Sequence, residues 1–216
     1  MLDTILHKGR RAQLVRELTE KNIYRDTVIQ AIGRVPRHLF IDPALDHIAY
    51  ADRPLPLPAE QTISQPSTVA LQTTLLDVPK GGRIMEIGTG CGYQTAVLAE
   101  YGYKVFSIER QHDLYVEASR NLSRAGYTAP MLIFGDGYEG LTNFAPFDGI
   151  LIACCSEAIP NKLLLQLKLG AKIVMPLLTG LGKQEMFVIQ RTGREHFERK
   201  SYGSCSFVPM IKGVNR

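Results

Sequence analysis

The chain is predicted to be an α/β protein: a mostly parallel central sheet with helices on both faces and an antiparallel hairpin at its C-terminal end. Three observations predict it. From about residue 67 onward, short apolar runs that end in turn residues alternate with segments of helical periodicity. A glycine-rich turn joins the first of those runs directly to a helix. The last two runs have no helix between them, so they must pair antiparallel.

The elements follow in order. Leu14, Val15 and Leu18, then Val28, Ile29 and Ile32, recur at helical spacing, so residues 1–35 read as helices that stop before Pro36. Residues 36–66 carry Pro36, Pro43, Pro54, Pro56, Pro58 and Pro66, each fixing φ and removing a donor, and read as a loop-like cover. Strands are predicted at Arg83–Gly88, Lys104–Glu109, Met131–Gly135, Asp148–Ala153 and Lys172–Pro176. Helices are predicted between them at Tyr93–Glu100, Asp113–Arg124 and Pro160–Lys168. Met186–Arg191 and Ser204–Pro209 form the closing hairpin, joined around Gly193. Residues 1–66 are thus N-terminal helices plus cover and 67–216 the core, in one compact unit.

Composition narrows the function classes. With 45% hydrophobic and 21% charged residues, 19 Gly and 4 Cys, the chain is globular and neither collagenous, disordered nor a disulfide scaffold. A net charge of +4 dispersed along the chain argues against a nucleic-acid partner. No apolar run approaches the ~20 residues of a membrane helix, and Met1–Arg11 shows no signal-peptide pattern. Cys91, Cys154, Cys155 and Cys205 make no C-x-x-C pair, and the five histidines complete no metal set. The expectation is a reduced, cytoplasmic, metal-free protein.

The most informative stretch is Glu86-Ile-Gly88-Thr-Gly90-Cys-Gly92, where a strand runs through three glycines into a helix. Such a turn lets a ligand approach the main chain. A pyrophosphate is disfavoured, because the spacing is G-x-G-x-G and Glu86 would repel it, whereas a cationic ligand would be attracted. Glu109 ends the next strand 17 positions past Gly92, where an acid takes a ribose diol. Asp136-Gly137 follows the third strand, where an Asp can accept from the exocyclic amine of adenine. Together they describe a nucleoside with a charged, non-phosphate tail, which fits S-adenosylmethionine.

Glu86–Gln94 resembles the cofactor loop of the protein-L-isoaspartate (D-aspartate) O-methyltransferases. The resemblance extends to Val35–Phe40, Gln61–Pro66, Gly135–Gly137, Ala145–Asp148 and Phe207–Pro209, and so covers Arg34 to Lys212. It implies a class I, Rossmann-like methyltransferase that moves a methyl group from S-adenosylmethionine to the α-carboxylate of L-isoaspartyl residues in damaged proteins and peptides. The product cofactor is then S-adenosyl-L-homocysteine, and the ester starts repair through a succinimide. Ser64, in Thr-Ile-Ser, is the implied catalytic group that orients the carboxylate, with capping of a helix near Pro66 as the alternative.

Thr62 and Ile63 are placed beside the cofactor, with Glu86, Gly88, Gly90, Gly92, Glu109, Asp136 and Gly137. Glu86 has an alternative role in satisfying loop donors. Val208, in Phe-Val-Pro, flanks the substrate or packs in a strand. Ser67 stands where relatives carry Tyr or His, so one wall of the peptide site differs.

Two other classes compete: a same-fold enzyme for a small-molecule acid or amine, and a non-catalytic S-adenosylmethionine-binding module. A nicotinamide dehydrogenase is disfavoured by the glycine spacing. The oligomeric state is not legible.

Overall fold

The computed structural model describes residues 3–215. Two helices come first, α1 (Ile5–Glu20) and α2 (Asp26–Arg34). Thr4 opens α1 as a capping box: its hydroxyl accepts from the His7 N–H, and its own N–H donates to His7 Nδ1 at 3.1 Å. The inner face of α1 buries Leu14 and Leu18. From the same face the Arg11 guanidinium donates to the Gly33 carbonyl and the Tyr50 hydroxyl and pairs with Asp3 at 2.8 Å, tying α1 to α2 and to the cover.

Within the proline-rich cover the structure forms a hairpin, β1 (Leu55–Leu57) and β2 (Gln61–Ile63). Pro56 is tolerated because this two-stranded sheet has open edges, so its missing N–H breaks no ladder on a further strand. The hairpin tip holds Ala59 and Glu60 at φ 57° and 55°, a left-handed turn taken here without glycine. Helix α3 (Pro66–Leu76) follows, with Pro66 in its first turn.

The remaining elements are β3 (Arg83–Ile87), α4 (Tyr93–Tyr101), β4 (Lys104–Glu109), α5 (His112–Arg124), β5 (Met131–Phe134), β6 (Phe147–Ile152), α6 (Asn161–Leu164), β7 (Leu167–Thr179), β8 (Lys183–Arg191) and β9 (Phe197–Ser204). Seven strands form one sheet in the order β5-β4-β3-β6-β7-β8-β9. The first five in that order are parallel neighbours, while β8 and β9 pair antiparallel. This is the expected α/β fold with its antiparallel C-terminal hairpin.

Three boundaries differ from expectation. The last strand is β9, which ends at Ser204, and the rest of the expected strand, 205–209, leaves the sheet as a tail. Nearly every residue of β9 is exposed, so this edge strand carries no apolar alternation to read. The connection does turn around Gly193, where Thr192 donates to the His196 carbonyl at 3.0 Å. Helix α6 is cut to Asn161–Leu164 because Leu167 already pairs with Phe147 at the start of a 13-residue β7.

The core lies on both faces of the sheet. Successive side chains of β3 point to opposite faces, so Ile84 joins the cluster that holds the buried residues of α1–α4, while Met85 joins that of Ile108, Ile150 and Ile173. Both are fully buried, and truncating either to Ala would cost about 2–5 kcal/mol. Leu14, Phe40 and Ile63 belong to the same cluster as Ile84 and Val174, so the N-terminal helices and cover share one core with the sheet. Among the described residues, no helix is long and apolar enough to cross a membrane.

Candidate active site

Strand β3 leaves the sheet between β4 and β6, the point where successive connections diverge to opposite sides. A crevice must open there, beyond the carboxyl ends of the strands. An open cavity of about 870 Å³ lies at this point. Its floor is formed by the ends of three strands: Ile87 and Gly88 from β3, Ile108 and Glu109 from β4, Ala153 and Cys154 after β6. Gln61, Thr62, Ile63 and Ser64 of the cover form one wall, and Val208, Pro209, Met210 and Ile211 of the tail form another.

The glycine loop takes its shape from left-handed backbone at Gly88, Gly90 and Gly92, with φ of 92°, 56° and 91°. Gly88 donates its N–H to the Ile108 carbonyl at 2.9 Å, holding the loop over β4. Gly88 and Gly90 line the cavity; Gly92 does not. Gly92 serves packing instead, since a Cβ there would meet Leu122 of α5 at 3.1 Å.

Glu109 is nearly buried, and both of its oxygens are held by main chain. Oε2 accepts from Gly90 N–H at 2.8 Å and Oε1 from Gln111 N–H at 2.9 Å. Burial pushes its carboxyl above the usual range, against the pull of those N–H groups. Each oxygen keeps a second lone pair, so the rigid carboxylate can still accept from a ligand diol.

Glu86 lies elsewhere. It is fully buried beneath the loop and does not line the cavity. Its Oε2 accepts from Thr95 at 2.5 Å and from Ser107 at 2.6 Å, so its partners are hydroxyls and not loop N–H groups. Burial lifts its carboxyl to about 7.

Gly137 lines the cavity, and a Cβ on it would come within 2.4 Å of Ile87 Cγ2, so only glycine fits there without displacing β3. Its neighbour Asp136 does not line the cavity. That carboxylate accepts from Tyr138 N–H at 2.9 Å and Gly213 N–H at 2.7 Å, pinning the tail against the β5 end. Asp136 thus brackets the tail, one residue before Gly137 on the cavity wall.

Ser64 lines the cavity, and its hydroxyl has no hydrogen-bond partner among the described residues. The helix-capping alternative does not apply, because the residue before α3 in the cap position is Gln65 and no side chain caps it. Thr62, Ile63 and Val208 also line the cavity. Ser67 does not: it is buried, its N–H donates to Asp52 at 2.8 Å and its hydroxyl accepts from Gln65 at 2.7 Å. Its place is the first turn of α3, behind the wall and not on it.

Sequence reading missed Thr89, Gln111, Leu114, Cys154, Met210 and Ile211 on the cavity wall. The rule that finds Glu109 at a strand end extends to Gln111 just beyond it, but nothing in the sequence brings the tail back. The tail returns because Cys155 donates to the Val208 carbonyl at 2.8 Å and Met210 donates to the Cys155 carbonyl at 2.7 Å. Burial pushes the Cys154 thiol up to about 12, so it lines the site as an inert apolar group.

Fold and site together define a class I methyltransferase. Residues 9–215 match the family protein-L-isoaspartate (D-aspartate) O-methyltransferase. The chain is 46% identical over 215 residues to a protein-L-isoaspartate O-methyltransferase of Flavobacterium psychrophilum and 44% identical to that of Christiangramia forsetii, covering all of this chain and all of each relative. Among solved structures, a protein-L-isoaspartate O-methyltransferase superposes with a TM-score of 0.85 at 27% identity, covering 94% of this chain and 67% of that one. A Plasmodium falciparum β-aspartate methyltransferase, solved with S-adenosyl-L-homocysteine, shares the fold with a TM-score of 0.82 at 23% identity, covering 96% and 99%. The chain belongs to the protein-L-isoaspartate (D-aspartate) O-methyltransferase family and is an S-adenosylmethionine-dependent enzyme.

Proposed function

We propose that this enzyme methylates the α-carboxylate of L-isoaspartyl residues in proteins and peptides, with Ser64 orienting the incoming carboxylate. The observation that carries the site reading is the unpartnered Ser64 hydroxyl on the wall of the cavity that Glu109 floors. The cavity suits S-adenosylmethionine: a fixed carboxylate for a ribose, apolar walls at Ile87, Ile108 and Leu114 for a base, and a glycine loop open to close approach. When bound, the cofactor supplies a methyl group already activated by the sulfonium charge.

The protein's own task is then alignment. An isoaspartyl α-carboxylate, with a pKa near ~3.5, is ionised at neutral pH and needs no general base. No Ser-His-Asp set is required, and Ser64 serves as a donor that fixes one oxygen of the nucleophile. Binding it in line replaces an improbable encounter by a prearranged one. The cover residues Thr62 and Ile63 shield the cavity from one side, and Val208 flanks the substrate from the other. A reducing, cytoplasmic setting is the reading that four free cysteines support.

The test is methyl transfer from labelled S-adenosylmethionine to two peptides that differ only in one linkage, L-isoaspartyl or aspartyl. Base-labile ester on the isoaspartyl peptide alone is expected. Transfer to neither, with cofactor binding intact, would shift the substrate to a small-molecule acid or amine.

A further inference from the structure

A line of hydrogen-bonded side chains runs from the cavity into the interior. Thr89 lines the cavity, and its Oγ1 lies 2.6 Å from Ser107 Oγ. Ser107 donates to Glu86 Oε2 at 2.6 Å, and Thr95 donates to the same oxygen at 2.5 Å. The other oxygen, Oε1, is buried and has no partner among the described residues. Permanently ionised buried carboxylates have both oxygens satisfied, whereas a neutral carboxyl bears a bare carbonyl oxygen at far smaller cost.

The surroundings act in the same direction. Helix α4 presents Thr95, β6 presents Leu151 across the ladder, and β4 presents Ser107 and, at its end, Glu109. Glu109 is the charged group that Glu86 feels, and it repels a second negative charge. Burial with that repulsion lifts the Glu86 carboxyl to about 7, against the pull of the Ser107 and Thr95 hydroxyls.

We propose that Glu86 is a positioning residue that trades one proton with solvent as the cavity fills, ionised beneath the sulfonium cofactor and neutral beneath the uncharged thioether product. It thereby favours S-adenosylmethionine over S-adenosyl-L-homocysteine. This rests on the reading of the cavity as the cofactor site.

The relay gives the proton a route. In the neutral state the carboxyl O–H donates to Ser107, Ser107 donates to Thr89, and Thr89 donates into the cavity. On ionisation Thr89 passes its proton to cavity water, takes the Ser107 proton, and Ser107 takes that of Glu86. Donation then runs inward, as far as Glu86 Oε2, and Thr89 turns lone pairs toward the ligand. One proton leaves and one negative charge remains, matched to the ligand's positive one.

Calorimetric titration of both ligands, in paired buffers of different ionisation enthalpy, counts the protons exchanged. Between pH 6 and 8 the wild type is expected to release roughly half a proton more with S-adenosylmethionine than Glu86→Gln does. With S-adenosyl-L-homocysteine the two proteins should not differ. Comparison with Glu86→Gln cancels the titration of the ligand's own amine.

Ser107→Ala keeps the carboxyl but removes a donor to it, so maximal proton release should move to higher pH; a purely structural role would leave it in place. Equal proton counts in wild type and Glu86→Gln, with both ligands bound, would overturn the proposal while the cavity reading stands. Failure of both ligands to bind would overturn the two together.

Discussion

Gly90 donates its backbone N–H to Oε2 of Glu109 at 2.8 Å, joining the turn after β3 to the end of β4. The same bond shapes the loop and fixes a carboxylate on the cavity floor. Loop geometry and the placing of that carboxylate are therefore one feature here. Glycine at 90, with its positive φ, is what lets that N–H turn toward the acid.

Glu109→Ala should weaken cofactor binding by about 1–3 kcal/mol, through loss of charged hydrogen bonds and of the loop's anchor. Titration with S-adenosyl-L-homocysteine measures this directly. Unchanged affinity would remove Glu109 from the ribose role.

Ser64→Ala should behave in the opposite way. Its hydroxyl bonds no other group among the described residues and caps no helix, so little stability should be lost. Turnover on an isoaspartyl peptide should fall by about tenfold or more, about 1.4 kcal/mol of transition-state stabilisation, with cofactor affinity unchanged. Steady-state rates beside a binding isotherm separate the two effects.

Gly137→Ala places a methyl group 2.4 Å from Ile87 Cγ2. Overpacking of this kind costs about 1–3 kcal/mol and would tilt the cavity floor. Ile87→Leu, which removes the Cγ2 branch while keeping an apolar side chain, should restore part of the lost stability in the double mutant. Thermal unfolding of both mutants tests the contact.

Asp136→Ala should free the tail. Gly213 N–H loses its acceptor, and amide exchange at Gly213 and its neighbours should quicken. If exchange stays slow while cofactor affinity collapses, Asp136 contacts the ligand after all.

Stability should depend on pH through Glu86. Its carboxyl keeps a proton up to about 7 in the folded state, against 4.5 as its ordinary value. Between those values the native state binds the extra proton, so stability falls as pH rises through the window and levels off above it. The full change is about 3 kcal/mol. In Glu86→Gln that slope should vanish, as denaturant titrations at pH 4.5 and 8 would reveal.

Fold class, strand sequence and the place of the glycine loop were legible in the chain, because each rests on local pattern. Arg83–Ile87 is an apolar run between turns, and Gly88, Gly90 and Gly92 can only follow it as a sharp bend. Glu109 was legible as an acid at a strand end, and Ser64 through resemblance of its Thr-Ile-Ser surroundings. What the pattern did not carry was pairing over distance. The hairpin of β1 and β2 hides among prolines, and β9 hides because an exposed edge strand has no buried face to repeat.

Long-range hydrogen bonds likewise decided which polar groups line the cavity. Glu86 and Asp136 stand at strand ends, where a ligand-facing acid is expected, yet neither lines the cavity: Thr95 and Ser107 bond the first and Gly213 the second. Local sequence determined where a carboxylate would stand along the chain. Only the tertiary structure decided where it points, because each donor arrives from a segment that chain order does not place beside it.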